Sequence, residues 1–118
     1  MTKNERLRER TKQFAIRVIH LFRTLPDVAD AQMVGKQLLL CGTSLAARYR
    51  AVRWARSKAD FIARLRVVAE EADESVFWLE MIEETRTIDP TRLAEILKES
   101  RELAAIFSAS LKGARSNK

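Results

Sequence analysis

The sequence contains little that would interrupt a helix or cross-link the chain. Its 118 residues include one cysteine, two prolines and three glycines. A single cysteine excludes an intramolecular disulfide framework, and so few glycines and prolines exclude collagen-like and low-complexity chains. An all-β domain is disfavoured as well, because many short strands require many turn residues. With 47% hydrophobic residues, the chain is predicted to form one all-α domain of a few long helices.

Long apolar segments are also lacking. The longest apolar runs, such as Leu38–Cys41, are only a few residues long, whereas a helix that spans a bilayer needs about 20. The first ten residues are rich in charge and lack the apolar region of a signal peptide. We therefore expect a cytoplasmic protein with no membrane partner, and the lone Cys41 suits a reducing compartment.

Periodicity and capping residues predict four helices, at about 4–24, 30–55, 57–84 and 90–112. Pro26 ends the first, Ser57 with Asp60 caps the third, and Asp89 with Pro90 opens the fourth. Gly113 is predicted to stop the fourth helix, leaving residues 114–118 as a frayed tail. Four helices with short connections predict an up-down four-helix bundle in a single domain over residues 1–118.

Apolar spacing predicts which face of each helix is buried. The stripe on helix 1 consists of Leu7, Thr11, Phe14, Val18, Leu21 and Leu25. Helix 3 carries a heptad seam of Ile62, Leu65, Ala69, Ala72, Val76 and Leu79. The stripe on helix 4 consists of Leu93, Leu97, Ser100, Leu103, Ala104, Phe107 and Leu111. Gly42 inside helix 2 predicts a close contact or a bend.

Two helices have apolar residues that one bundle cannot bury. On helix 2 an outer stripe recurs every seven residues, almost opposite Leu45 and the core face: Met33, Leu40, Ala47 and Trp54. On helix 3, Trp78 and Met81 lie away from the predicted seam. Scattered surface hydrophobes are normal, but a heptad-spaced row ending in Trp favours a subunit contact. These six residues are the predicted interface of a homo-oligomer.

Charge is distributed unevenly. Residues 1–56 hold 12 basic and 4 acidic side chains, whereas residues 57–118 hold 10 and 12, within a net charge of +6. The densest basic segment interleaves cations with aromatic rings, and its predicted nucleic-acid-binding residues are Arg48, Tyr49, Arg50, Arg53, Trp54, Arg56 and Lys58. Arg6, Arg10 and Arg17 add a basic stripe on helix 1. The alternative is a solvated face in which Arg50 covers Trp54.

Catalytic patterns are weak. Glu70–Glu74 fits the E-E-x-x-E spacing used by helical magnesium-dependent nucleotide pyrophosphohydrolases, but Glu99 and Glu102 form a poor second half. Ala72 lies in the core seam, so Glu71 and Glu74 are predicted to point away from the bundle axis, either as a solvated acidic face or as one that pairs with the basic face of a neighbouring subunit. His20 is the sole histidine, which excludes paired-histidine sites. We predict no catalytic residue, no cofactor and no metal.

The middle of the chain resembles a known family. Segments Cys41–Arg50 and Ala55–Ile62 are similar to the four-helix-bundle proteins encoded by intervening sequences of bacterial 23S ribosomal RNA genes. Segments Glu70–Glu74, Phe77–Glu80 and Phe14–Pro26 continue the resemblance. The sequence departs from the family pattern at Arg48, where Asn is usual, and at Ala51, where Glu is usual.

The resemblance implies a ring-like homopentamer with no established enzymatic activity. It also implies kinship in fold with the accessory variability protein of diversity-generating retroelements, whose basic pentamer partners a reverse transcriptase and binds nucleic acid. From residues and resemblance together we expect a non-enzymatic homo-oligomer that contacts RNA or DNA through its basic face. The alternatives are a structural or protein-partner scaffold without nucleic-acid binding, or a magnesium-dependent nucleotide hydrolase.

Overall fold

The computed structural model describes residues 1–116, and within them every regular element is helical. The elements are α1 (Lys3–Arg23), α2 (Ala29–Val52), α3 (Lys58–Glu84), a 3₁₀ turn (Pro90–Arg92) and α4 (Ala94–Ser116). Helix α2 packs between α1 and α3, and α4 closes the bundle against α3 and α1. The predicted four-helix bundle is confirmed. Its long axis measures 47 Å, so the two ends of the bundle form separate surfaces.

The buried stripes of α1 and α4 lie where the spacing predicts them. All six residues of the stripe predicted for helix 1 are buried, including Leu25, which follows the end of α1, and Phe14, Val18 and Thr11 are almost fully enclosed. The Thr11 hydroxyl donates to the Arg8 carbonyl at 2.9 Å, so this buried polar group has a hydrogen-bond partner. On α4 the predicted stripe is buried except for the half-buried Ala104, and Ile96 joins it.

The predicted seam of α3 is fully confirmed at three of its six positions, and at two of the others, Ile62 and Ala69, the side chains are half-buried against the core. Leu65, Ala72 and Leu79 are buried as expected, but Ile62, Ala69 and Val76 are only half-buried. The other fully buried residues of α3 are Val68, Ser75 and Ile82, and the first two directly precede Ala69 and Val76 in the sequence. Because α3 packs against both α2 and α4, its buried face is rotated towards the groove between them.

The helix ends differ from the prediction where a local turn competes with the helix. Helix α2 ends at Val52 rather than near 55, because the Trp54 and Ala55 amides bond three residues back, each at 3.0 Å. Asp89 and Pro90 do form a cap, in which the Asp89 side chain accepts from the Thr91 amide at 3.0 Å. They begin a single 3₁₀ turn, however, and α4 starts at Ala94.

The predicted stop at Gly113 and the frayed tail after it are also wrong for the described residues. Helix α4 continues through Gly113 to Ser116, and no glycine adopts a positive φ. The Leu111 side chain is buried, which anchors the last turns to the bundle. Residues 117–118 of the predicted tail lie outside the described residues.

Two glycines on α2 allow a close approach of α1. A Cβ on Gly42 would lie 3.0 Å from a methyl group of Val18, and a Cβ on Gly35 would overlap the Leu25 side chain. The close contact predicted at Gly42 is therefore present. This packing fixes α1 beside α2, so that the cations of both helices share one surface.

The helices of residues 1–116 include none with the length and apolar character that a bilayer span requires.

Candidate nucleic-acid interface

One end of the bundle collects basic side chains from three helices. The antiparallel arrangement brings together the start of α1, the end of α2 and the start of α3. We call this surface the basic end and define it by Lys3, Arg8, Lys12, Arg50, Arg53 and Lys58. Within residues 1–116, none of these six cations lies within 4 Å of a carboxylate. Their charge is therefore available to phosphate.

The groove between α1 and α2 brings Arg8, Lys12 and Arg50 together. It has a volume of about 630 Å³ and is open to solvent. Glu5 and Glu9 also line it. Glu5 is committed to helix capping, because its carboxylate and the Thr2 hydroxyl exchange hydrogen bonds with each other's backbone amides. Those hydrogen bonds lower the pKa of Glu5 below its usual value.

The connection after α2 presents an exposed indole beside a cation. The Trp54 ring is 64% exposed, and the guanidinium carbon of Arg53 lies 4.8 Å from its centroid. This cation–π contact is made by Arg53 and not by Arg50, the partner considered from the spacing. An exposed ring that carries a guanidinium is a surface on which an unpaired base can stack while its phosphate meets the cation.

Ser57 and Asp60 hold this connection in place. The Ser57 hydroxyl accepts from the Asp60 amide, and the Asp60 carboxylate accepts from the Arg56 amide, both at 3.0 Å. The backbone hydrogen bond from Arg56, followed by the contact with Arg64, lowers the pKa of Asp60. The Arg56 side chain lies 3.6 Å from Asp60 but is 85% exposed, so a phosphate can still reach it.

Two predicted nucleic-acid contacts are corrected by the structure. Tyr49 is buried, with its ring centroid 5.0 Å from that of Phe107, so it cannot stack on a base at the surface. Its position four residues after the buried Leu45 was the signal for a core residue. Arg48 is exposed, but its Nε lies 2.6 Å from the Glu71 carboxylate, which neutralises it within the bundle.

The sequence also misplaced the α1 contribution to the basic end. Arg10 forms a bidentate ion pair with Glu99 of α4, at 2.6 and 3.0 Å, and Arg6 lies with it in the α1–α4 groove. Arg17 lies towards the other end, in a depression with the exposed His20. The α1 residues that join Arg50 are instead Arg8 and Lys12. Arg6 and Arg10 have the same spacing of four residues as Arg8 and Lys12, so the sequence of α1 alone does not show which pair faces α2.

The outer stripe of α2 is exposed along its length. Leu40 is 65% exposed, Met33 is 56% exposed, and Ala47 is exposed between Leu40 and Trp54. Trp54 therefore lies where the outer stripe meets the basic end. On α3, by contrast, Trp78 and Met81 are half-buried, and Trp78 packs against the core. The exposed aromatic ring of that region is Phe77, whose centroid lies 4.8 Å from that of Trp78.

The acidic segment of α3 is not uniformly solvated. Glu70, Asp73 and Glu74 are exposed, but the Glu71 side chain is only 15% exposed and faces Arg48 of α2. The prediction that Glu71 points into solvent is wrong. Burial raises the pKa of Glu71 above its usual value, although Arg48 acts in the opposite direction. Among residues 1–116, no three His, Cys, Asp or Glu side chains are grouped to hold a metal ion.

The fold and this surface define a class: a small four-helix-bundle protein with an unneutralised basic end and an exposed apolar stripe. No family model and no curated protein matches the chain. A crystal structure from Bacteroides thetaiotaomicron, of a protein of unknown function in the S23 ribosomal protein family, is similar with a TM-score of 0.84. The two sequences are 30% identical over 94% of this chain and 99% of that one. The chain belongs to the S23 ribosomal protein family.

Proposed function

We propose that the protein is a non-enzymatic, homo-oligomeric helical bundle that binds RNA or DNA through its basic end. The observation that carries the proposal is the set of cations without carboxylate partners at the basic end, where Arg53 lies against the exposed Trp54. Other cations of the same chain do have a carboxylate within 4 Å, as Arg10 does with Glu99. The similar crystal structure is of a protein of unknown function, so the support for nucleic-acid binding comes from the basic end of this chain.

Binding through the basic end depends on phosphate contacts, so it is expected to be strongly salt-dependent. A triple variant, Arg50→Ser, Arg53→Ser and Lys58→Ser, should bind a fluorescent oligonucleotide much more weakly at low salt. It should also flatten the plot of log affinity against log salt by about two for a single strand. Fluorescence anisotropy measures both quantities.

A matched control removes the same charge from other parts of the bundle. Lys36→Ser, Arg92→Ser and Lys98→Ser change three exposed cations that lie outside the basic end. This control should keep nearly all of the affinity. If both triple variants lose affinity equally, binding follows net charge alone and the basic end is not the site. If the unaltered protein does not bind at low salt, the proposed function is wrong.

Self-association is the second part of the proposal, and the outer stripe supports it. Burying a side chain such as that of Leu40 or Met33 contributes about 1.5–3 kcal/mol, so a stripe repeated at each contact can hold subunits together. The family resemblance implies five subunits. Light scattering should then give five times the 13.5 kDa mass of one chain.

Leu40→Glu is expected to dissociate this assembly, because it places a charge in the apolar contact. Gln37→Glu changes an exposed residue next to the stripe by the same charge and should leave the mass unchanged. A monomeric unaltered protein would overturn this part of the proposal. A scaffold for another protein would be indicated if the oligomer forms, no nucleic acid binds and reversal of Arg53 and Arg56 disrupts the assembly.

A further inference from the structure

A second cleft opens at the basic end, on the far side of Arg8 from the α1–α2 groove. It has a volume of about 230 Å³ and is lined by residues of all four helices. Its apolar wall consists of Leu7, Val52, Phe61, Leu65, Ile106 and Phe107. Pockets for drug-sized ligands measure about 300–1,000 Å³, so this cleft has room for one flat ring system and not for a larger molecule.

The charge around the cleft has one sign. Lys3, Arg8 and Arg53 line it, and no Asp or Glu does, in a chain with 16 acidic residues. An apolar cavity surrounded by cations fits a ligand with a flat body and an attached negative charge. Arg53 also touches the Trp54 ring, so the cleft is joined to the surface on which a neighbouring base can stack.

Polar groups at the cleft have hydrogen-bonding capacity to spare. The Tyr49 hydroxyl lies 3.5 Å from the Asn4 side-chain oxygen, at the limit for a hydrogen bond. Asn4 and Ser110 also line the cleft, and both are exposed. An amide side chain donates and accepts at once, which is the pattern that the edge of an unpaired base requires.

We propose that this cleft receives one unpaired nucleobase of a single-stranded nucleic acid, with the adjoining phosphates on Lys3, Arg8 and Arg53. The inference rests on the proposed function and deepens it, because it specifies the strand form that the basic end selects. A base in a duplex is paired and stacked, and removing it from the stack costs several kcal/mol. The protein should therefore prefer single strands to duplexes that carry the same number of phosphates.

The test compares a fluorescent single strand with a blunt duplex of equal phosphate number at low salt. The single strand should bind about tenfold more tightly, as one inserted base allows. Ser110→Trp fills the cleft from an exposed position, so the fold should tolerate it. This variant should remove the preference and leave duplex affinity unchanged. Ser108→Trp, also exposed on α4 but not lining the cleft, is the matched control and should keep the preference.

A second variant approaches the cleft from another helix. Phe61→Ala removes a partly exposed part of the wall and should lower single-strand affinity, again with little change for the duplex. Circular dichroism on each variant identifies any that fails to fold. A 2-aminopurine base in the strand should change its fluorescence on binding to the unaltered protein, and the change should be absent with Ser110→Trp.

The outcomes separate this inference from the proposed function. Equal affinity for strand and duplex, or a preference that survives Ser110→Trp, overturns the cleft proposal and leaves binding by the basic end intact. No binding of either form overturns both. A free nucleoside monophosphate that binds the cleft, when a single strand does not compete with it, would identify a nucleotide site and also overturn the proposal.

Discussion

Replacing Arg48 should lower the folding stability much more than replacing Glu71, its partner in an ion pair between α2 and α3. Glu71 is 15% exposed and Arg48 is 57% exposed, with 2.6 Å between Nε and the carboxylate. Replacing Arg48 by Met keeps most of the packing and leaves a buried carboxylate without its cation. Breaking a fully buried pair costs about 3–5 kcal/mol, and exposed pairs contribute at most about 1 kcal/mol. For this half-exposed pair we expect a loss of about 2 kcal/mol at neutral pH.

Replacing the other partner, Glu71, should lower the free energy of unfolding much less. Glu71→Gln removes the buried charge, and Arg48 can turn into solvent because it is mostly exposed. The double variant should recover most of the stability lost in Arg48→Met, because no buried charge remains. Denaturant titration followed by circular dichroism measures all four proteins. Arg101→Met is the control: its pair with Glu80 is exposed on both sides, and its loss should cost less than about 1 kcal/mol.

The pH dependence tests the same reasoning independently. Burial raises the pKa of Glu71, so the stability associated with this group is fully present below the pKa of an unfolded glutamate. It is lost as the pH rises through the higher pKa of the folded state. Removing Arg48 raises that pKa further, so the penalty of Arg48→Met should shrink on acidification. A penalty equal to that of Arg101→Met, or one that does not change with pH, would refute the reasoning.

Two further predictions concern packing inside α2 and α4. Gly42→Ala should destabilise the protein by about 1–2 kcal/mol, because the added Cβ would press on the fully buried Val18. Gly113→Ala, where a Cβ would have nothing within 4 Å, should stabilise the protein by up to about 1 kcal/mol. Thermal unfolding compares the two variants, and a stabilising Gly42→Ala would contradict the close packing of α1 on α2. Burial raises the pKa of the Cys41 thiol, so it should react with a thiol reagent only after denaturation; rapid reaction of the native protein would show that α2 and α3 open at this point.

The sequence predicts the fold well because each helix carries a periodic signal. The stripe of α1 is apolar apart from Thr11 and contains none of the charged residues of the helix, so one buried face is clearly favoured. On α3, Leu65, Ala72 and Leu79 belong to two possible heptad patterns. The second row of the pattern is either Ile62, Ala69 and Val76 or Val68, Ser75 and Ile82, and each of these rows contains two β-branched apolar residues and one small residue. Which heptad is buried depends on how α2 and α4 pack against α3, and that information is not local.

The candidate site was predicted less completely, because neighbours in sequence are not neighbours on a helix. Arg48, Tyr49 and Arg50 are consecutive, but they contact Glu71, Phe107 and the α1–α2 groove respectively. The α1 members of the basic end depend on the crossing of α1 and α2, so residues of one helix could not identify them. The basic segment near Arg53 and the exposure of Trp54 were accessible from local sequence alone.

The central claim is that the basic end binds nucleic acid through its unneutralised cations. The most direct measurement is the affinity of the unaltered protein for a single-stranded oligonucleotide across a series of salt concentrations. Six available cations predict a slope of log affinity against log salt near −4, at about 0.7 per phosphate contact. A slope near zero, or no binding at the lowest salt, would contradict the account.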